Sequence, residues 1–296
     1  MATTPLRLVT NRDREILTAL DHVPLTAAQL QKFSRTFALP FTTERRVRER
    51  LQRLWESGWV HRWPYATAGQ GAPNYYKLSR LGFQLIHGEE AAPPTKRAFG
   101  PVGFLKQEHT RALADFIVHT AVAAHQSGFR FTEFYRENTL RLQVEEESLF
   151  PDAAFQLIDA QGTAFNFFTE IDRSSERIRS DKDTESWDRK IRFYDRWQDG
   201  SKTRVRVLII GIRESDRIGR ILDTAARFMR NPDRSLFYAI ALPMYIQQND
   251  SLRRAVFRDH HQKPTALVPK RSNLQPAWSP LPMRGLPPCN FPSLST

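Results

Sequence analysis

The sequence predicts a mixed α/β protein: a small helical N-terminal part, then a larger core built on a mixed sheet. Three observations carry this. Up to about residue 88, amphipathic helices lead into two short aromatic strands. From about residue 104 the hydrophobic period switches repeatedly, giving helix, antiparallel hairpin, helix, strand, helix, strand. That order packs as helices on both faces of one mixed sheet, an α/β/α sandwich. Between the two parts lies a Pro-, Gly- and Ala-rich stretch without a period, "GEEAAPPTKRAFGPVG".

The first helix is "NRDREILTALDH". Asn11 or Thr10 caps it, acids fill its first turn, and Ile16, Leu17 and Leu20 form its apolar stripe. The second starts at "TAAQ", where Thr26 and Gln29 have the capping-box spacing. The third is "TERRVRERLQRLWESG", with Val47, Leu51, Leu54 and Trp55 on one face and Gly58 as its stop. "WVHRWPYATAGQGAPNYYKLS" reads as two strands around a Gly/Ala/Pro tip, and "RLGFQLI" as a closing helix.

An arginine-rich helix face, read alone, is a solvated face. The order of elements selects a winged helix-turn-helix over residues 8–88. In that arrangement the third helix enters the major groove of double-stranded DNA, and arginines reach phosphates and guanine edges. The expected DNA contacts are Arg45, Arg46, Arg48, Arg50, Arg53 and Lys77.

Residues 89–103 are the linker and 104–260 the core. "KQEHTRALADFIVHTAVAAHQSG" is a long helix with Gly128 as its stop. "FRFTEFYRE" and "TLRLQVE" are extended. "DAAFQLIDAQGTAFNFFTEID" is a hairpin turning at Asp159 to Gly162. An amphipathic helix carrying Trp187, Ile191 and Tyr194 follows. The apolar strand "RVRVLIIGI", a helix stopped by Pro232, and the strand "SLFYAIALP" complete the core. Residues 261–296 are a basic, Pro-rich and loosely ordered tail, and His260-His261 reads as surface.

Charge is unevenly distributed. The formal net charge is +12, yet residues 105–252 sum to −1, while 1–104 carry +7 and 253–296 carry +6. Basic ends favour a polyanion, and a neutral middle keeps its acids for chemistry. The single Cys289 excludes an intramolecular disulfide framework and a multi-cysteine zinc site. With no apolar run near the roughly 18 residues of a span and no signal-peptide pattern, the expected place is the cytoplasm, without a membrane partner.

One constellation points to chemistry. In "FNFFTEIDRSS" an aromatic strand ends in Glu170 and Asp172, which alternation puts on one face. Asp152 opens the other hairpin strand and so falls beside Glu170, while Lys190 lies on the next helix. Acid, acid-x-acid and a nearby lysine suit a Mg²⁺-dependent nuclease: Asp152, Glu170 and Asp172 as hard oxygen ligands, Lys190 to stabilise charge on the phosphorane. Glu108 and His109 offer a further acid and a supporting donor. The alternative is a solvent-facing strand end with Arg173 or Lys190 as ion-pair partners. No Gly-rich phosphate loop followed by Lys-Ser/Thr occurs, which disfavours an ATPase. The histidine cluster and paired tyrosine of a rolling-circle relaxase are missing as well.

"RRVRERLQRLWESGWVHR", "YYKLSRLG", "HTRALAD", "PDAAFQLIDAQGTAFNFFTEIDRSSE" and "WDRKIRFYDRW" together resemble the replication-relaxation family over about residues 10–245. Pro151-Asp152, Glu170-Ile171-Asp172-Arg173 and the Lys190/Tyr194 pair are the most specific pieces. The resemblance implies a winged helix joined to a domain similar to the restriction-endonuclease, PD-(D/E)xK, core. It also implies a role in plasmid or mobile-element replication, DNA relaxation or mobilisation. The pattern departs at one place: a lysine is expected two residues after the second acid, and here that residue is Asp172. Lys190 or Lys182 would have to supply the lysine.

Two expectations follow. One is a Mg²⁺-dependent DNA endonuclease. The other is a non-catalytic DNA-binding accessory factor or transcriptional regulator with a degenerate core. Partners expected beyond DNA are a replication, mobilisation or other mobile-element protein and a second copy of the chain.

Overall fold

The computed structural model describes residues 9–66, 71–94, 98–174, 177–178, 186–213 and 216–269. The chain is mixed α/β, as its period predicts. The described residues fall into two compact units, one up to Ala114 and one from Asp115. No helix among them is long and apolar enough to cross a membrane.

The first unit holds α1 (Asn11–His22), β1 (Leu25–Thr26), α2 (Ala27–Phe33), α3 (Glu44–Glu56), β2 (Val60–Pro64), β3 (Asn74–Leu78) and α4 (Arg80–His87). Thr10 caps α1 reciprocally with Asp13, and Thr26 caps α2 reciprocally with Gln29. These boxes satisfy backbone donors that would otherwise be orphaned and so fix where each helix begins. Ile16, Leu17, Leu30, Val47 and Leu51 are buried in the unit's core. Trp55, assigned by spacing to the apolar stripe of α3, is instead partly exposed, with the Arg62 guanidinium 3.8 Å from its ring centroid. The antiparallel sheet has the order β1-β3-β2, and the tip between β2 and β3 includes residues outside the described set. Gly82 of α4 passes so close to the backbone that a Cβ would sit 2.1 Å from the Trp59 carbonyl oxygen. Part of the linker is tied down here: the Val102 N–H donates to Tyr75 Oη and the Lys77 ammonium to the Gly100 carbonyl.

The unit boundary falls within α5 (Gln107–Gln126). Beyond it come β4 (Arg130–Tyr135), β5 (Leu142–Val144), β6 (Glu147–Leu149), β7 (Ala153–Ile158), β8 (Ala164–Asp172) and α6 (Trp187–Gly200). Then follow β9 (Val205–Gly211), α7 (Arg217–Phe228), β10 (Phe237–Ala241), α8 (Leu242–Ile246), β11 (Phe257–Asp259) and β12 (Pro264–Thr265). Seven strands form one sheet in the order β12-β11-β10-β9-β8-β7-β4. β8, β9 and β10 run parallel, and their neighbours on either side are antiparallel.

Parallel strands buried on both faces need continuous apolar runs, and every residue of β9 and β10 is buried. On one face, Phe168, Val207, Ile209 and Phe237 pack against Trp187, Tyr194 and Trp197 of α6 and Ile221 and Leu222 of α7. On the other, Phe116 of α5 meets Phe155 of β7 and Tyr245 of α8. The extended segment after β4 folds as a small β5–β6 hairpin.

Order also extends past residue 260, where the sequence suggests a loose tail. β12 joins the sheet edge, Leu267 and Val268 are buried, and the buried Arg206 guanidinium donates to the Leu267 carbonyl. His260 is buried too, and the Nε2 atoms of His260 and His261 lie 2.7 and 2.8 Å from the Pro232 carbonyl oxygen.

Candidate active site

The site begins with the β7–β8 hairpin. Its turn closes through the Asp159 N–H to the Thr163 carbonyl, with Gly162 at φ 83, a conformation glycine adopts without a Cβ penalty. That turn fixes the register Ala153↔Thr169, so Asp152 lies beside Glu170 at the open end. The Asp152 N–H donates to the Thr169 carbonyl at 3.0 Å, and the Ile171 N–H donates to Asp152 Oδ2 at 2.7 Å. Two backbone hydrogen bonds thus fix Asp152 at the hairpin's open end.

Phe168, Glu170 and Asp172 share one face of β8, the face covered by α6. Glu170 is 2% exposed. Lys190 Nζ donates to its Oε2 at 2.9 Å and Tyr194 Oη to its Oε1 at 2.5 Å. Lys190 and Tyr194 are four residues apart on α6, the spacing that stacks side chains on one helix face. Burial pushes the Glu170 carboxyl up to about 7, against the pull of the Lys190 charge. The Asp152 carboxylate pushes it further up, and the hydrogen bonds from Tyr194 and Lys190 oppose it.

A third acid comes from β4. A bulge between Thr132 and Tyr135, with Glu133 at φ 50, shifts that strand's register against β7. The chain then reaches Glu137, whose carboxylate lies within 4.8 Å of that of Asp152. Three successive strands of the sheet therefore bring Glu137, Asp152 and Glu170 to one end of it.

Asp172 is placed differently. Arg217 Nε donates to its Oδ2 at 2.8 Å, and Arg217 Nη2 to its Oδ1 at 3.0 Å. Trp187 Nε1 donates to the same Oδ1 at 3.1 Å. Arg217 is the first residue of α7 and Trp187 the first of α6. Asp172 therefore ties the starts of both helices to the sheet, and its oxygens are turned toward those donors.

Of the residues singled out from sequence, Asp152, Glu170 and Lys190 are brought together and Asp172 is turned aside. Glu108 and His109 sit in the first turn of α5, on the stretch belonging to the first unit. Lys182 lies outside the described residues. Sequence reasoning missed Glu137 and Arg217, which only sheet register and the parallel crossover bring into place. Tyr194 was singled out with Lys190 as a pair carrying the resemblance, but its role as a donor to Glu170 appears only in the structure.

The α3 arginines divide. Arg45 donates to Glu49 and Arg48 to Glu44, both exposed pairs one turn apart. Arg50 donates to Asp13 Oδ1 at 2.6 Å and Oδ2 at 2.5 Å, and to Thr10 Oγ1 at 2.8 Å, bracing α3 against the start of α1. Asp13 is buried, which raises its pKa, but the Arg50 and Thr10 hydrogen bonds outweigh burial and hold it below the usual carboxylate value. Arg46 and Arg53 are exposed.

A family model described as replication-relaxation matches residues 17–209, more than half of the chain. No curated protein and no solved structure matches it. The chain belongs to the replication-relaxation family.

Proposed function

From membership of the replication-relaxation family, which supports a replication-related role, we propose a DNA-binding protein of plasmid or other mobile-element replication or mobilisation. In this reading the first unit is a winged helix that holds duplex DNA. The second is a PD-(D/E)xK-like core that cuts a DNA strand with a divalent cation. The order α5-β4-β7-β8-α6-β9, interrupted only by the β5–β6 hairpin, supports the nuclease-like reading of the core.

The observation that carries the proposal is the meeting of Asp152, Glu170 and Lys190 at one sheet end, with Lys190 Nζ 2.9 Å from Glu170. The donor set fits Mg²⁺: the carboxylates of Asp152, Glu170 and Glu137 are hard oxygen donors, and no soft ligand is among them. Of these, Asp152 and Glu137, whose carboxylates lie within 4.8 Å of each other, would hold the ion. When bound, the ion polarises the scissile phosphate and acidifies a water. The chain's own groups do the rest. Lys190, three residues from the anchored start of α6, presents an ammonium to charge developing on the phosphate oxygens. Glu170 holds that lysine in position, the Tyr194 hydroxyl holds Glu170 through its other oxygen, and the backbone bonds of Asp152 keep its carboxylate fixed.

The test is nicking of supercoiled plasmid in Mg²⁺ or Mn²⁺, with a parallel ion titration followed by thermal melting. Wild type should nick, Asp152→Ala and Lys190→Met should not, and the ion should raise the melting temperature of wild type but not of Asp152→Ala. Equal inertness of all three on cognate DNA would defeat the enzyme reading. A specific observation favours a second reading: Arg217 and Trp187 engage Asp172 in the slot where a lysine is usual. It describes a non-catalytic DNA-binding accessory factor or regulator, and predicts DNA binding that survives Asp152→Ala and Glu170→Gln without any nicking.

A further inference from the structure

We propose that Arg12, Arg46 and Arg53 form a track that grips the phosphate backbone of duplex DNA along the α1/α3 flank. The proposal rests on the reading that the first unit binds DNA. It assigns the work to particular arginines, one of them outside the arginine-rich helix.

The five α3 arginines look equivalent in the sequence and are not. Arg45 and Arg48 are neutralised by Glu49 and Glu44 one turn away. Arg50 is committed to Asp13 and Thr10. Arg46 and Arg53 are exposed, and no ion pair or hydrogen bond of their guanidinium groups occurs among the described residues. Spaced seven apart, they share a flank of the helix with Arg50, and that flank looks toward the start of α1.

Arg12 comes from α1. Its guanidinium carbon lies 4.4 Å from the Phe41 ring centroid, a cation–π contact that restrains the side chain. Its ion pair with Glu15 is long, at 3.7 Å. Its Nη1 is buried and has no hydrogen-bond partner among the described residues. The side chain nevertheless keeps 24% of its surface exposed, and that accessible part of the fork is what a phosphate can meet.

These groups line one concavity. Arg12, Pro40, Phe41, Thr42, Arg46 and Arg53 border a space of about 270 Å³, together with Arg50 and Glu49. That is room for a phosphodiester group and its waters. Glu49, the one acid on this wall, is already paired with Arg45. Arg50 and Arg53 also border a second concavity that continues past Leu54 and Ser57 to Trp59. Asp13 on that second wall is paired with Arg50, so Arg53 is the charge both hollows share, and two adjoining hollows suit a chain of phosphates better than one free ion. Arginine's planar fork matches phosphate oxygens bidentately.

The experiment is duplex-DNA binding by the full chain, read by fluorescence anisotropy over a salt series. Two double variants remove equal charge from the same helix: Arg46→Ala/Arg53→Ala and Arg45→Ala/Arg48→Ala. The first should lower the slope of log affinity against log salt by about 2 units, because each lost phosphate contact removes about 0.9. The second should change it by less than half as much. Arg12→Gln should lower it by about 1 unit with its melting temperature unchanged, and Arg12→Lys should restore part of the binding. Equal losses from the two double variants would overturn the track while leaving DNA binding by the unit intact. No binding by wild type at low salt would overturn the underlying reading instead. Inorganic phosphate stabilising wild type as much as the duplex does, through Arg46 and Arg53, would mark a free-anion site and refute the backbone assignment.

Discussion

Replacing Asp172 with alanine should destabilise the second unit far more than replacing any exposed acid. The reason is in the burial. Asp172 is 2% exposed and the Arg217 side chain 11%, so neither charge is screened by water. Exposed ion pairs are worth about 0–1 kcal/mol, whereas leaving one member of a buried pair alone costs about 3–5 kcal/mol. Two Arg217 bonds and the Trp187 N–H lose their acceptor together. With a urea slope of about 2 kcal/mol/M, a loss of about 4 kcal/mol moves the unfolding midpoint down by about 2 M. The assay is urea unfolding followed by tryptophan fluorescence and circular dichroism.

The control is the double variant Asp172→Leu/Arg217→Met. Swapping a buried pair for apolar groups of similar volume is often neutral or stabilising, so most of the loss should return. The cycle through the two single variants should give a coupling of about 3 kcal/mol. A loss below about 1 kcal/mol for Asp172→Ala, or a double variant as unstable as the sum of its singles, would refute the buried lock. Asp172→Asn, which keeps an acceptor for Trp187, should fold and, under the endonuclease reading, still nick plasmid.

Glu170 should make the apoprotein less stable as pH rises. Its folded pKa, near 7, lies above the ordinary 4.5, so this contribution is complete below 4.5 and lost as pH climbs through 7. The shift corresponds to about 3 kcal/mol at most. Urea midpoints from pH 5 to 8 should show this fall in wild type and not in Glu170→Gln; equal slopes would count against it. Gly82→Ala should cost about 1–3 kcal/mol, because a Cβ 2.1 Å from the Trp59 carbonyl forces α4 away from that backbone, and a melting temperature within a degree of wild type would disprove the contact. Thr26→Ala should remove the α2 capping box at a cost of about 1 kcal/mol, with Thr26→Ser recovering most of it in the same denaturation assay.

What was legible in the sequence was local. The hairpin turn at Asp159 to Gly162 is short, so counting back from it pairs the start of β7 with the end of β8. That is why the sequence alone places Asp152 and Glu170 side by side. Lys190 was placed only on the helix that follows, although its spacing from Trp187 and Tyr194 is that of one helix face. Asp172 was not legible in the same way. Its partner lies 45 residues further on, at the start of a helix reached through a parallel crossover. No spacing rule connects the two. Glu137 was hidden because a bulge on an edge strand changes the register before the chain reaches it. The α3 arginines show both cases: the pairs with Glu44 and Glu49 follow from i,i+4 spacing, while Arg50 reaches Asp13, 37 positions away. β11 and β12 are three and two residues long, too short for any period to announce.

Two acids that look equivalent at the end of one strand have different fates, and the partner decides which. Arginine stays charged at every relevant pH and bonds a carboxylate with a planar fork, so Asp172 with Arg217 is a permanent fixture. Lysine is a single-point donor on a flexible stem, and tyrosine is neutral, so Glu170 sits in a pairing that can be exchanged for another ligand. The fixed pair also serves the exchangeable one. Trp187 bonds Asp172 and opens α6, and Lys190 follows three residues later on the same helix. A reacting group is positioned well only when the element carrying it is anchored close by. Asp172 in the place of the usual strand lysine therefore does not by itself argue for a dead site. Under the endonuclease reading it anchors the helix that would supply the lysine instead, and a variant that loosens the anchor should then weaken nicking through the position of Lys190 rather than through the carboxylates.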